Sequence, residues 1–141
     1  MEIKVKKLNE NAKLPTYAHE GDAGMDLYAS ETLTIGKGDI AAVPTGMAFE
    51  IPHGFVGLIW DKSGLALKQG LKMMGGVIDS GYRGETKVVV ANLGKQDYIV
   101  EKHTKIAQML IQPVVSGKIK EVTELTDTSR ATGGFGSSGL K

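Results

Sequence analysis

Cysteine is absent from the 141 residues of the chain. That absence removes disulfides, thiol nucleophiles and thiolate metal sites together. Histidine is scarce as well. His19, His53 and His103 stand far apart and form no ligand-spaced pair, so no zinc site is expected. No apolar run approaches the roughly 20 residues that a membrane span requires, and the start Met1-Glu2-Ile3-Lys4 lacks the apolar core of a signal peptide. The expected setting is therefore cytoplasmic, with no membrane partner. Charge of one sign is missing too: 17 basic residues against 16 acidic ones leave a net +1, where a nucleic-acid binder carries a strong basic excess. Arginine is nearly absent, with Arg83 and Arg130 the two that occur, both in glycine-rich stretches. They read either as chance in a lysine-rich background or as planar forks kept to grip phosphate or carboxylate.

What the chain does have is many short β-type runs. No window longer than about ten residues sustains a period of 3.6, whereas alternating or β-branched segments recur. The candidates are Ile3 to Leu8, Met25 to Ala29, Thr32 to Ile35, Ile40 to Pro44, Met47 to Ile51, Phe55 to Trp60, Thr86 to Asn92, Tyr98 to Val100, Lys105 to Val114 and Glu121 to Leu125. Turn signals such as Pro44-Thr45-Gly46, Asp79-Ser80-Gly81 and Asn92-Leu93-Gly94 separate them. At 141 residues this is one domain, and the spacing indicates an all-β sandwich, jelly roll or barrel. One segment breaks the pattern: Ser63 to Gly70 has a capping serine, helix formers and a terminating glycine, and reads as one short helix. Its N-terminus is either an anion site or a plain connector. From about Thr128 the composition becomes that of a flexible Gly/Ser-rich tail. Residues 134 to 139 spell G-x-G-x-x-G, but with no helix to follow this is not a dinucleotide fingerprint.

The chemistry-bearing residues concentrate between Gly75 and Glu85. The glycine pair allows close backbone approach, Val77-Ile78 reads as a buried β run, and Asp79 then stands at a strand end with Tyr82 and Arg83 just beyond. Such an aspartate is either a turn former or a base. No nucleophile–histidine–acid set and no P-loop is visible, so the inventory allows carboxylate-assisted attack by water, with Mg²⁺ near a triphosphate.

Five ordered segments together resemble the trimeric dUTPase family over nearly the whole chain: Ala23-Gly24-Met25-Asp26-Leu27-Tyr28-Ala29, Lys62-Ser63-Gly64-Leu65-Ala66, Gly76 to Glu85, Lys105-Ile106-Ala107-Gln108, and Arg130 to Gly139. The resemblance implies a jelly-roll β-barrel with one short helix, a homotrimer with shared active sites, and hydrolysis of dUTP to dUMP and pyrophosphate. That activity clears dUTP from the nucleotide pool and supplies dUMP for dTMP synthesis. It implies a body of residues 1–127 and a C-terminal lid of residues 128–141. Asp79 would activate the water that attacks the α-phosphorus. Backbone at Gly76, Val77 and Ile78 would read uracil, and Tyr82 would sit under the deoxyribose. Lys62, Ser63, Gly64, Lys87 and Gln108 would join the substrate-binding set. Asp26 and Arg83 would brace the site, and Arg130, Phe135, Gly136 and Ser137 would close over the ligand. Mg²⁺ would be held through substrate phosphates, with no direct protein ligand.

Three positions depart from the family pattern. Lys62 and Lys105 stand where arginine is usual, and Met73 where many bacterial members carry asparagine. Two other functions remain open. A dCTP deaminase shares the fold, but Met47 occupies the place of its catalytic glutamate. A non-catalytic trimeric module binding nucleotides or proteins is the alternative from another class.

Overall fold

The computed structural model describes residues 1–135 and Ser137. In chain order the elements are β1 (Lys4–Lys7), β2 (Gly24–Tyr28), β3 (Leu33–Ile35), β4 (Ile40–Pro44), β5 (Met47–Glu50), β6 (Phe55–Trp60), α1 (Ser63–Gln69), β7 (Leu71–Met74), β8 (Val77–Ile78), β9 (Lys87–Asn92), β10 (Tyr98–Val100) and β11 (Lys105–Pro113). They form four antiparallel sheets: β1-β5, β3-β10, β4-β9-β7 and β2-β11-β6-β8. Alternation does the sorting. Along β9 the residues Val88 and Val90 turn inward, while Lys87 faces out. Met25 and Leu27 of β2, Val43 of β4 and Phe49 of β5 meet them in one core. Each such side chain contributes about 1.5–3 kcal/mol by leaving water. The result is the expected all-β jelly-roll class, with a single short helix among the described residues. No helix among the described residues is long and apolar enough to cross a membrane.

The turn signals hold for physical reasons. Asn92, at the end of β9, is fully buried; its amide donates to the Ile35 and Gln96 carbonyls at 3.0 and 2.9 Å and accepts from the Gly94 N–H at 2.9 Å. A buried amide satisfied three ways ties the 93–96 turn to β3.

Four sequence expectations change. Leu71–Met74 is a strand that the sequence pattern did not suggest, because methionine lacks the β-branched signature; its in–out alternation is nonetheless regular. Glu121 to Leu125 is not a strand: it is exposed, and a strand exists only where a neighbour completes its ladder. Ser63 is not the helix cap. Lys62 takes that place with extended backbone and no side-chain cap bond, and Ser63 is the first helical residue; the expected glycine terminator is present at Gly70, with φ 71°. The Val77-Ile78 run is not buried. β8 lies at the edge of its sheet and Val77 is 62% exposed.

One irregularity positions functional groups. In β11 the register against β2 shifts between Lys105 and Ala107, and both Ile106 and Ala107 are buried. This bulge inverts the side-chain phase, so Lys105 falls on the outer face with Gln108 although they are three positions apart.

Candidate active site

The hairpin after β8 carries the first group of residues. Ile78 pairs with Gly57 and Val77 with Leu58, while the Ile59 N–H donates to the Gly76 carbonyl at 2.8 Å. Bonded and non-bonded pairs alternate in an antiparallel ladder, so the N–H and C=O of Val77 point away from β6. The open sheet edge therefore offers one fixed donor beside one fixed acceptor. Gly76 makes this approach possible: its φ is +87°, and a Cβ there would stand 3.0 Å from the Ile59 carbonyl oxygen. Asp79 follows directly. Its carbonyl accepts from the Tyr82 N–H at 3.0 Å in a tight turn, and its carboxylate is exposed. Gly76, Val77, Ile78, Asp79, Tyr82 and Lys87 are thus brought together; all but Gly76 line one cavity of about 580 Å³.

Tyr82 is held in place. Its hydroxyl donates to the Glu85 carbonyl at 3.0 Å, and the ring lies so close over Gly84 that a Cβ there would come within 2.4 Å of the phenolic oxygen. The Glu85 carboxylate accepts from the Gly46 N–H at 2.9 Å and pairs with Lys87 at 3.7 Å, anchoring the hairpin to the β4–β5 turn. Arg83 pairs with no carboxylate among the described residues. Its guanidinium donates to the Ser80 and Tyr82 carbonyls at 2.6 and 3.0 Å, so it braces the hairpin.

A second group forms on the outer face of the β2-β11-β6-β8 sheet. Asp26 of β2 is 3% exposed, and its two oxygens take one cation each: Oδ1 pairs with Lys62, and Oδ2 with Lys105 at 2.6 Å. Gln108 donates to the Asp61 carbonyl at 2.9 Å, lying across Gly24, where a Cβ would stand 2.4 Å from its Oε1. Ser63 and Gly64 open α1 beside Lys62, with their first-turn N–H groups directed out of the helix. Lys105 and Glu85 lie within the ordered motifs, but neither was expected to take a role in the site. For Lys105 the consecutive buried pair Ile106-Ala107 hides the bulge, because both are apolar in any register.

Burial on its own would push the Asp26 carboxyl up, but the hydrogen bonds from Lys105 and Lys62 outweigh it and hold the group below its ordinary range. The same bond holds the Lys105 ammonium up. A depressed folded pKa stabilises above the unfolded value near 3.8 and loses that contribution as pH falls through the folded one. Asp26→Asn therefore costs about 2 kcal/mol at pH 7, discounted for the part-exposed lysines. In thermal unfolding from pH 7 to pH 2 the gap to the unmodified chain closes in the acid range; a gap independent of pH would contradict the clamp.

The two groups do not merge within the chain. Ile78 is opposite Gly57 and Gln108 is opposite Trp60, on the two sides of β6. Three residues along the strand and two strand spacings across it separate them by roughly 14 Å. The tail forms a third group. Arg130 Nε donates to the Gly133 carbonyl at 2.9 Å, the Ser137 N–H donates to the Gly134 carbonyl at 3.0 Å, and Phe135 is fully exposed. Gly136 lies outside the described residues.

Comparison with known proteins finds matches in both sequence and structure. A family model described as dUTPase matches residues 10–139. The chain is 52% identical over 141 residues to the deoxyuridine 5'-triphosphate nucleotidohydrolase of Alkaliphilus metalliredigens, covering 99% of this chain and 98% of that one. Among solved structures, the dUTPase of Staphylococcus bacteriophage 80alpha with dUpNHpp superposes at TM-score 0.93 and 30% identity, with 99% of each chain covered. A mutant dUTPase from phage phi11 of S. aureus, described with a structural Mg(II) ion, superposes at TM-score 0.83 and 29% identity over 88% of this chain and 98% of that one.

Proposed function

The chain belongs to the dUTPase family and hydrolyses dUTP to dUMP and pyrophosphate, and we propose that Asp79 is the base and that each active site is assembled from more than one copy of the chain. The observation that carries this reading is the placement of Asp79: an exposed carboxylate at a strand end, beside the free donor and acceptor of Val77 and the clamped ring of Tyr82. Uracil presents an N–H beside a carbonyl, which a fixed acceptor and donor match. Cytosine has an amine and a bare nitrogen on that edge, and a rigid backbone cannot turn to suit it. The Tyr82 ring under the sugar leaves no space for a 2′-hydroxyl. Asp79 takes one proton from a water aligned on the α-phosphorus, and pyrophosphate leaves.

The phosphates are met by Lys62, the Ser63 and Gly64 N–H groups, Lys87 and Gln108, with residues 128–141 closing as a lid that brings Arg130, Phe135, Gly136 and Ser137. Mg²⁺ would be held through the substrate phosphates, where it would supply positive charge for the leaving group. Asp26 is already committed to two ammonium groups.

Shared sites follow from the separation of the three groups and from apolar surface that needs a cover. Trp60 and Val77 are 52% and 62% exposed on the outer sheet face, and Val115, Ile119 and Leu125 are 93%, 96% and 86% exposed along the segment leading to the tail. Exposed large apolar side chains in this number support contact between copies, and the homotrimer is the assembly we assign. The cytoplasm, where DNA precursors are made, is the setting we assign. A deaminase reading finds no carboxylate at residue 47, since Met47 is wholly buried in the core. The test is pyrophosphate release with Mg²⁺ from dUTP beside dTTP, dCTP and UTP. Fast turnover of dUTP alone is expected. Comparable turnover of UTP would remove Tyr82 from its role, and ammonia from dCTP would favour deamination.

A further inference from the structure

We propose that Lys105 is a positioning residue, which holds the charge of Asp26 so that the Lys62 ammonium is free to leave for a substrate phosphate. This rests on the proposed contact between Lys62 and phosphate. Asp26 is buried between two cations, one on each oxygen, and the three groups together carry one unit of positive charge. A buried carboxylate stripped of its partners is costly. With Lys62 alone beside it, that ammonium would be fixed as the counter-charge and lost to the ligand. The second cation changes the balance, because Asp26 remains paired when Lys62 swings away.

The geometry gives the two lysines different freedom. Lys105 lies opposite Tyr28 in the strand ladder and is turned toward Asp26 by the bulge, so a sheet fixes its backbone. Lys62 sits in the short link between β6 and α1, directly before the outward N–H groups of Ser63 and Gly64. Its four-carbon stem can carry the ammonium away from Asp26 to the substrate phosphate of the proposed contact. One lysine is thus placed to stay and the other to move. One oxygen for each ammonium permits this sharing.

The test is a cycle of steady-state measurements with dUTP on the full chain. Lys105→Met raises KM about tenfold with kcat within about twofold, because Lys62 is then locked on Asp26 before substrate arrives. The same substitution made in an Asp26→Asn background leaves KM where that background sets it, since a neutral amide has no charge to hold Lys62. Lys105→Arg restores most of the lost affinity, and Lys105→Gln behaves as Lys105→Met. A purely structural role for Lys105 would lower melting temperature without this dependence on residue 26. An unchanged KM in Lys105→Met, or an equal rise in both backgrounds, overturns the proposal. Lys62→Met separates the two layers: a raised KM there with a failed cycle removes only the role of Lys105. An unchanged KM in Lys62→Met removes the phosphate contact and this proposal with it.

Discussion

Replacing Asp79 by asparagine lowers dUTP turnover about a thousandfold, within the range that a positioned general base supplies, and leaves the fold intact. The two halves of this expectation have separate causes. Asparagine keeps the size and the turn preference of aspartate but cannot accept the proton of the attacking water. The carboxylate of Asp79 makes no side-chain hydrogen bond among the described residues and is exposed, while its backbone carbonyl, which closes the turn to Tyr82, is retained in the variant. Stability therefore changes by no more than about 0.5 kcal/mol, as for other exposed sites. Turnover by pyrophosphate release, read beside thermal unfolding, checks both. A variant that keeps more than a tenth of the activity would remove Asp79 as the base. A variant that loses activity together with its fold would be uninformative about catalysis, and the exposure of the side chain speaks against that outcome.

Deleting residues 128–141 lowers activity about a hundredfold or more, the scale expected when donors to developing charge are withdrawn, and shifts melting by less than about 2 °C. The expectation follows from what the tail does and does not touch. Through Thr128, Arg130 and Gly133 its hydrogen bonds are internal to the tail among the described residues, and Phe135 is fully exposed. Removing such a segment takes no buried surface from the core. It removes an arginine, an aromatic ring and several backbone N–H groups from any ligand they would cover. Full activity in the truncated chain would sink the lid.

The legible part of the molecule was that fixed by local chemistry. The Asp79-Ser80-Gly81 turn, the Gly70 helix terminator and the turn at Asn92-Leu93-Gly94 appear where turn and cap preferences place them. Asp26, Lys62 and Gln108, assigned to the site from ordered motifs, do meet on one sheet face. What was not legible depends on long-range pairing. Lys105 reaches Asp26 through a bulge, and an extra residue inside an apolar pair leaves no trace in an alternation pattern. Val77 looked like core because apolar runs do not reveal which strand will be the edge. The apolar residues of 121–125 imitate a strand, and nothing local shows that the described chain offers them no partner ladder. Ser63 had cap chemistry, yet Lys62, drawn to Asp26, took the cap position. These last two cases share a cause, since a strand partner and a charge partner both come from elsewhere in space.

The most direct test of a site shared between chains uses the two inactive variants together. Asp79→Asn chains and chains lacking residues 128–141 are co-expressed, purified as mixed assemblies and assayed for pyrophosphate release from dUTP. If one copy supplies Asp79 and another supplies the tail, about half the sites draw an intact Asp79 and about half of those an intact tail. Activity then returns to roughly a quarter of the unmodified rate. A mixture no more active than the sum of its two parents would contradict the shared site.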